Sequence, residues 1–212
     1  MSNPDISFQD ENSQLVTIFS IGHSNQSLET FFALLRQHEI QVLVDVRSSP
    51  YSKYVPHFNS NALVAAAEQT DITYMFMGQE LGGRPDGNEF YDISGRVLYK
   101  RVAESAHFLR GIQRLKEVGC ISRSVLMCSE EDPATCHRHL LIGHVLIKQG
   151  VDLLHIRSEG HIQNEKELIS REEKPFYAQS LWGEQLSDKE EDTWKSIRRV
   201  SRKKELPNSL DL

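Results

Sequence analysis

Between positions 128 and 138 the chain reads Cys128-Ser129-Glu130-Glu131-Asp132-Pro133-Ala134-Thr135-Cys136-His137-Arg138. Two of its three thiols, three consecutive acids, an imidazole and a guanidinium stand together there. Glu130 is the expected acid/base, because a carboxylate just past a strand end can move a proton or attack as a nucleophile. Asp132 suits a helix N-cap and Pro133 a first helical position, which places Cys136, His137 and Arg138 in the first turn of a helix over 134–149. Free backbone N–H groups at such a turn favour anions and depress a thiol pKa. On that reading Cys136 is a reactive thiol assisted by His137, or Arg138 holds a phosphate or carboxylate. The spacing also has a packing interpretation, since Cys136, Leu140, Gly143 and Ile147 share one helical face. Cys128 closes a strand and is followed by acids that raise its pKa. It is a candidate second catalytic thiol and otherwise a pocket wall.

Two further clusters carry chemistry. Gly22-His23-Ser24-Asn25 follows an apolar strand. Gly22 allows close backbone approach, His23 is a candidate acid, base or ligand, and Ser24 a polar contact, although one glycine is a weak phosphate signal without G-x-G-x-x-G. Asp45 and Arg47 point to one face of a second strand end, where one can orient the other. Arg47 and Arg138 would then hold the anion. The following loop, Arg47 to Phe58, mixes Lys53 with Tyr51, Tyr54 and Phe58. Base stacking with phosphate contact uses that mixture, as does an ordinary loop packed by its own aromatics. His23, Cys128, Cys136 and His137 include enough soft donors for zinc. Cys-x₇-Cys-His is not a standard zinc spacing, however, and no Cys-x₂-Cys occurs, so a metal-free site is expected. No motif specifies a cofactor.

The elements that must position these residues alternate. Leu15 to Ile21 reads as a strand ended by Gly22. Ser27 caps a helix that runs to about His38, with Leu28, Phe31, Phe32 and Leu35 at helical spacing. Gln41 to Val46 is a strand whose continuous apolar character implies cover on both faces. Asn61 to Gln69 is a helix, Ile72 to Met77 a strand, Val102 to Val118 a long helix and Ser124 to Cys128 a strand. The helix over 134–149 ends at Gly150, and Val151 to Ile156 is a fifth strand. Strand–helix alternation predicts an α/β fold with a mainly parallel, Rossmann-like sheet of about five strands and helices on both faces. Ligands then bind beyond the carboxyl ends of the strands. Gly22, Asp45, Gly78 and Cys128 should lie near one sheet edge, with His23, Arg47, Glu130 and Arg138 lining one cleft.

Residues 1–14 read as a flexible N-terminus and 15–161 as the α/β domain. Residues 162–212 read as a charged, helical or partly ordered extension that Trp182 and Trp194 pin down. The glycine-rich connection over 78–100 is long enough to be functional. The chain's 212 residues, 39% hydrophobic and 25% charged, describe an ordinary globular protein. A formal net charge of -6 gives no global attraction to nucleic acid. Three cysteines are too few for a disulfide scaffold, the first residues lack a secretory pattern, and no apolar run approaches a membrane span. A cytoplasmic enzyme or binding protein without membrane contact is expected; nothing bears on oligomeric state.

Taken in order, Ile21-Gly22-His23-Ser24-Asn25, Leu43-Val44-Asp45-Val46-Arg47-Ser48-Ser49-Pro50-Tyr51-Ser52, Leu81-Gly82-Gly83-Arg84, Leu126 to Arg138 and Gly150-Val151…His155-Ile156 resemble the bacterial and archaeal domain-of-unknown-function family numbered 488. The resemblance spans about Ile18 to His161. It implies a single α/β domain and one site holding Cys128, Glu130, Cys136, His137 and Arg138. It implies no reaction. The leading expectation is a hydrolase or transferase acting on a phosphate-bearing or nucleotide-like substrate. The alternatives are a non-catalytic nucleotide or nucleic-acid binding module and a thiol-dependent transferase or redox protein.

Overall fold

The computed structural model describes residues 16–177 and 194–200. The expected flexible segment 1–14, the start of the first strand at Leu15, and Trp182 lie outside the described residues.

Six strands form one sheet in the order β3-β2-β4-β1-β5-β6. They are β1 (Thr17–Gly22), β2 (Val42–Asp45), β3 (Thr73–Phe76), β4 (Ser124–Cys128), β5 (Asp152–Ile156) and β6 (Ile162–Asn164). All neighbours pair parallel except β5 and β6. The α/β architecture read from strand–helix alternation is therefore present. The sheet also continues past His161, because β6 adds an antiparallel edge that three residues at a charged tail did not announce.

Period-two alternation sends successive side chains to opposite faces, and both faces are apolar. On one face Phe19, Ile21, Leu43, Val125 and Met127 pack on α1 (Leu28–Gln37) and α2 (Ser60–Ala67). On the other, Ile18, Val44, Leu126 and Leu153 pack on α3 (Tyr99–Glu104), α4 (Ala106–Ile121) and the segment leading through α5 (His144–Lys148). Ser27 caps α1 as its pattern predicts, its Oγ accepting from Thr30 N–H at 3.1 Å. Among the described residues no helix is long and apolar enough to cross a membrane.

Two expected helices divide. The one expected over 102–118 starts at Tyr99 and breaks at Ser105, whose backbone is extended and whose side chain caps α4 by accepting from Phe108 N–H. The one expected over 134–149 does not begin at 134. Asp132 caps only a 3₁₀ turn, Pro133–Thr135, and Cys136 is extended at φ -114°, ψ 147°. Its carbonyl accepts from the N–H groups of His139 and Leu140, so Cys136 is the residue from which the helix starts, not a member of its first turn. Arg138–Gly143 is then wound as a π-helix before α5. Wide turns of this kind gather at functional sites.

Register sets the site. Gly22 pairs with Cys128 and Asp45 with Met127, so β1, β2 and β4 end level. Beyond that edge His23 N–H donates to Cys128 O and Ser24 N–H to Ser129 O, which carries the 129–131 turn directly over Gly22. A Cβ at Gly22 would fall 1.8 Å from the Glu130 carbonyl oxygen. Both partners are backbone, Gly22 in β1 and the Glu130 carbonyl tied down by Arg138, so neither can swing aside. Gly22→Ala is expected to cost about 1–3 kcal/mol, the range for overpacking, toward its upper end. Urea unfolding of both proteins measures it, and an unchanged midpoint contradicts the close approach.

Candidate functional site

A cavity of about 450 Å³ opens at the carboxyl ends of β1, β2 and β4. Cys128, Cys136 and His137 form its floor together with Glu130. Cys128 Sγ lies 3.0 Å and Cys136 Sγ 3.5 Å from Glu130 Oε2, and each sulfur lies 3.7 Å from His137 Nδ1. His137 Nε2 sits 3.2 Å from the Val46 carbonyl, which can only accept, so Nε2 donates there and Nδ1 is the nitrogen that faces the sulfurs. Burial by itself would raise the Cys136 thiol, but the bond from Cys128 and the charges of Arg138 and His137 hold it well below the ordinary thiol value. Cys128 is pushed up by that same bond and by burial. Burial disfavours charge on His137, and the Cys136 sulfur more than offsets it, raising the imidazole.

Arg138 is not in the cavity. Among the described residues it is the largest fully buried side chain, and its Nε donates to Cys136 Sγ at 3.3 Å. One terminal nitrogen donates to Ser20 Oγ at 3.0 Å and the other to the carbonyls of Glu130 and Glu131 at 2.6 and 3.3 Å. The expectation that Arg138 grips an anion is corrected by this: the side chain is fully buried, all three of its nitrogens are engaged within the protein, and it positions Cys136 and the turn above Gly22.

Arg47 does border the cavity, at 7% exposure. Its guanidinium is spent on Asp45, at 2.9 Å through Nε and 2.6 Å through a terminal nitrogen, on the Phe58 carbonyl at 2.8 Å, and on His23 Nε2 at 3.2 Å. Asp45 is fully buried and also accepts from Tyr74 OH at 2.8 Å. The pair therefore orients the loop from Arg47 to Phe58, and the expectation that Arg47 holds an anion is corrected to that positioning role. Because Arg47 donates to Nε2 of His23, the His23 proton is on Nδ1 and donates to Ser24 O. That ring stacks on Phe58 at 4.3 Å, and burial lowers its pKa from 6.5 to about 4. His23 is thus a neutral support for Arg47. Ser24 lies exposed at φ 47° outside the cavity lining. Glu131 is paired with Arg157 at 2.7 Å, which lowers its carboxyl to about 2.

Sequence reasoning missed two groups. Three guanidinium groups, Arg84, Arg198 and Arg199, stand at the cavity mouth with exposed side chains. No carboxylate among the described residues pairs with them. Arg198 and Arg199 arrive on a strap, 194–200, laid along 95–99. Tyr99 N–H donates to Trp194 O, Ser196 N–H to Val97 O, and Val200 N–H to Gly95 O. Trp194 anchors it by donating from Nε1 to Leu140 O at 2.6 Å. The signal available was the Arg198-Arg199 pair following Trp194. The second missed group is a buried chain behind the floor. Ser20 Oγ accepts from Arg138 and donates to His155 Nδ1 at 2.6 Å; His155 Nε2 then donates to Glu165 at 2.6 Å. His139 donates to the other Glu165 oxygen at 2.8 Å. Burial alone would raise Glu165, but these two bonds hold it down, while burial lowers His155. Glu165 reaches the chain because residue 143 is glycine: a Cβ there would lie 2.2 Å from its Oε1.

A family model described as domain of unknown function DUF488 matches residues 27–145, more than half of the chain. No curated protein and no solved structure matches.

Two outcomes follow from this geometry. Arg138→Ala strands a hydroxyl, two carbonyls and a sulfur in the interior and is expected to cost roughly 3–5 kcal/mol, as removal of one member of a buried charged pair does. Chemical denaturation reads this, and a loss under about 1 kcal/mol contradicts the buried positioning role. His23, with its folded pKa depressed, contributes stability that is present above pH 6.5 and is lost as the pH falls toward about 4. The contribution is up to about 3 kcal/mol. NMR titration should give a His23 ring midpoint near 4; an ordinary midpoint contradicts the stacked, neutral arrangement.

Proposed function

The chain belongs to the DUF488 family, whose description states no reaction, and we propose that it is an enzyme, a hydrolase or transferase, whose cavity takes a phosphate-bearing or nucleotide-like substrate. One observation carries the reading: Arg84, Arg198 and Arg199, unpaired with any described carboxylate, overhang a floor of Glu130, His137 and two thiols. Guanidinium groups left without carboxylates bind phosphate with charge-assisted, bidentate hydrogen bonds. Glu130 has the place of the proton carrier. Its carboxylate is only half-buried, stands beside the reactive groups of the floor and borders the space a substrate would fill. Arg47 and Asp45 act by holding the loop that forms the opposite wall. Tyr51 on that loop borders the cavity and is 71% exposed, a free aromatic face on which a base can stack. Cys120, Cys128 and Cys136 are all free thiols, which suits a reducing, cytoplasmic compartment.

The rival binding module has an observation of its own. Tyr54, 83% exposed, carries Lys53 Nζ 5.0 Å from its ring centroid, outside the cavity and open to a nucleic-acid strand. A thiol-dependent transferase or redox protein is the third reading, supported by two sulfurs that share Glu130 and His137 as neighbours.

The test is a thermal-shift screen of nucleotides and sugar phosphates, followed by turnover assays on any compound that binds. Replacing Arg198 and Arg199 by alanine should weaken that compound about 10-fold or more, the worth of one charged hydrogen bond. Glu130→Gln should leave affinity nearly unchanged and lower turnover by roughly 10²–10⁴. Wild-type turnover in Glu130→Gln removes the carboxylate from the chemistry. Binding without turnover, lost on Tyr54→Ala, establishes the rival module.

A further inference from the structure

The cavity floor has the shape of a coordination site. Zinc bonds of about 2.3 Å to sulfur and 2.0–2.1 Å to nitrogen, arranged tetrahedrally, place neighbouring donors roughly 3.5–3.8 Å apart. His137 Nδ1 stands 3.7 Å from Cys128 Sγ and 3.7 Å from Cys136 Sγ, and the three atoms lie within 4.8 Å of one another. Those separations are too long for strong hydrogen bonds and match the edges of a metal tetrahedron. We propose that Cys128, Cys136 and His137 bind one borderline-soft divalent cation, zinc by preference, with the fourth position open to the cavity beside Glu130.

Three other observations point the same way. His137 Nε2 donates to the Val46 carbonyl, so Nδ1 is the nitrogen left to face the sulfurs, and any proton on it is one a cation would displace. Metal-binding imidazoles are fixed in this manner by a backbone carbonyl behind them. Arg138 donates to Cys136 Sγ and touches no carboxylate, so a fully buried cation has a sulfur as its nearest anionic neighbour. Charge also balances. A bound cation that displaces the thiol protons leaves two thiolates and the Glu130 carboxylate, three negative charges that the dication and Arg138 neutralise.

The other buried set, His139, His155 and Glu165, does not compete. Its donor atoms are already joined by protons at 2.6 and 2.8 Å, with the second nitrogen of His155 taken by Ser20. The expectation of a metal-free site rested on the absence of a standard ligand spacing. The fold replaces spacing by geometry: the strand end supplies Cys128, and the residue that starts the helix supplies Cys136 with His137 next to it. Thiolate and imidazole ligands select zinc over magnesium or calcium. The inference shares the cavity with the proposed function but does not depend on what the cavity takes up.

The experiment uses the full chain without an affinity tag, stripped with a chelator under reducing conditions and titrated with Zn²⁺ or Co²⁺. One equivalent of Zn²⁺ should bind, and Co²⁺ should give the thiolate charge-transfer and visible bands of a tetrahedral site. Cys120→Ser should behave as wild type. Cys128→Ser, Cys136→Ser or His137→Gln should each weaken Zn²⁺ by more than about 100-fold, since even loss of an outer partner of a ligand costs 10–100-fold. A second measurement needs no variant: bound Zn²⁺ should shield Cys128 and Cys136, but not Cys120, from iodoacetamide. A folded wild-type chain that takes up no Zn²⁺, or whose Zn²⁺ leaves Cys128 and Cys136 as reactive as before, overturns the proposal. Failure of the phosphate screen would leave the metal count untouched, so the two readings fail separately.

Discussion

A guanidinium cut off from water must find a partner for each of its N–H groups, because an unsatisfied buried charge costs several kcal/mol. Arg138 meets that demand for four of its five N–H groups by drawing together Ser20 on β1, the carbonyls of the 130–131 turn and the sulfur of Cys136. The turn is thereby pulled down over Gly22, Cys136 is held against Cys128, and Glu130 is aimed at both sulfurs. The Val46 carbonyl adds His137 to that floor by accepting from its Nε2. The hydrogen bonds also act in reverse. They keep the guanidinium in place without a carboxylate, which leaves its positive charge available to the thiols.

Behind Arg138 the same logic continues through neutral and charged groups in turn. Ser20 can accept from the guanidinium and donate onward, His155 passes one proton position to Glu165, and Glu165 is closed by His139. Glu165 begins α6 (Glu165–Tyr177) directly after β6, so the antiparallel edge strand places the carboxylate that completes the chain. In front, the cavity mouth is built by a different force. The strap at 194–200 is held by backbone bonds to 95–99 and by the Trp194 ring, and its arginines face the cavity while the buried Arg47 is tied to Asp45. One cavity thus has cations at two depths: fixed ones that shape it and free ones at its mouth.

The architecture was legible in the sequence because strands buried on both faces leave apolar runs that need no knowledge of their neighbours. Ser27 and Ser124–Cys128 were correct almost to the residue, since a cap and a short apolar run are local facts. The helix at 134 was misread because Asp132 and Pro133 start a 3₁₀ turn as readily as an α-helix, and only the contacts of Arg138 decide between them. The missed edge strand is three residues long and pairs on a single side.

Clustering of Cys128, Glu130, Cys136, His137 and Arg138 near a strand end is a property of the sequence alone, because they lie within eleven positions after an apolar run. Which of them faces the cavity was not. Arg138 and Arg198 are the same residue type, yet one is sealed beneath the floor and the other is exposed at the mouth. The sequence by itself determined the sheet, the edge where chemistry gathers and the kinds of groups present. Only the tertiary structure decided their roles, because a charged side chain's function depends on whether the groups around it use up its hydrogen bonds, and those groups come from β1, β2 and a strap some sixty residues beyond the motif.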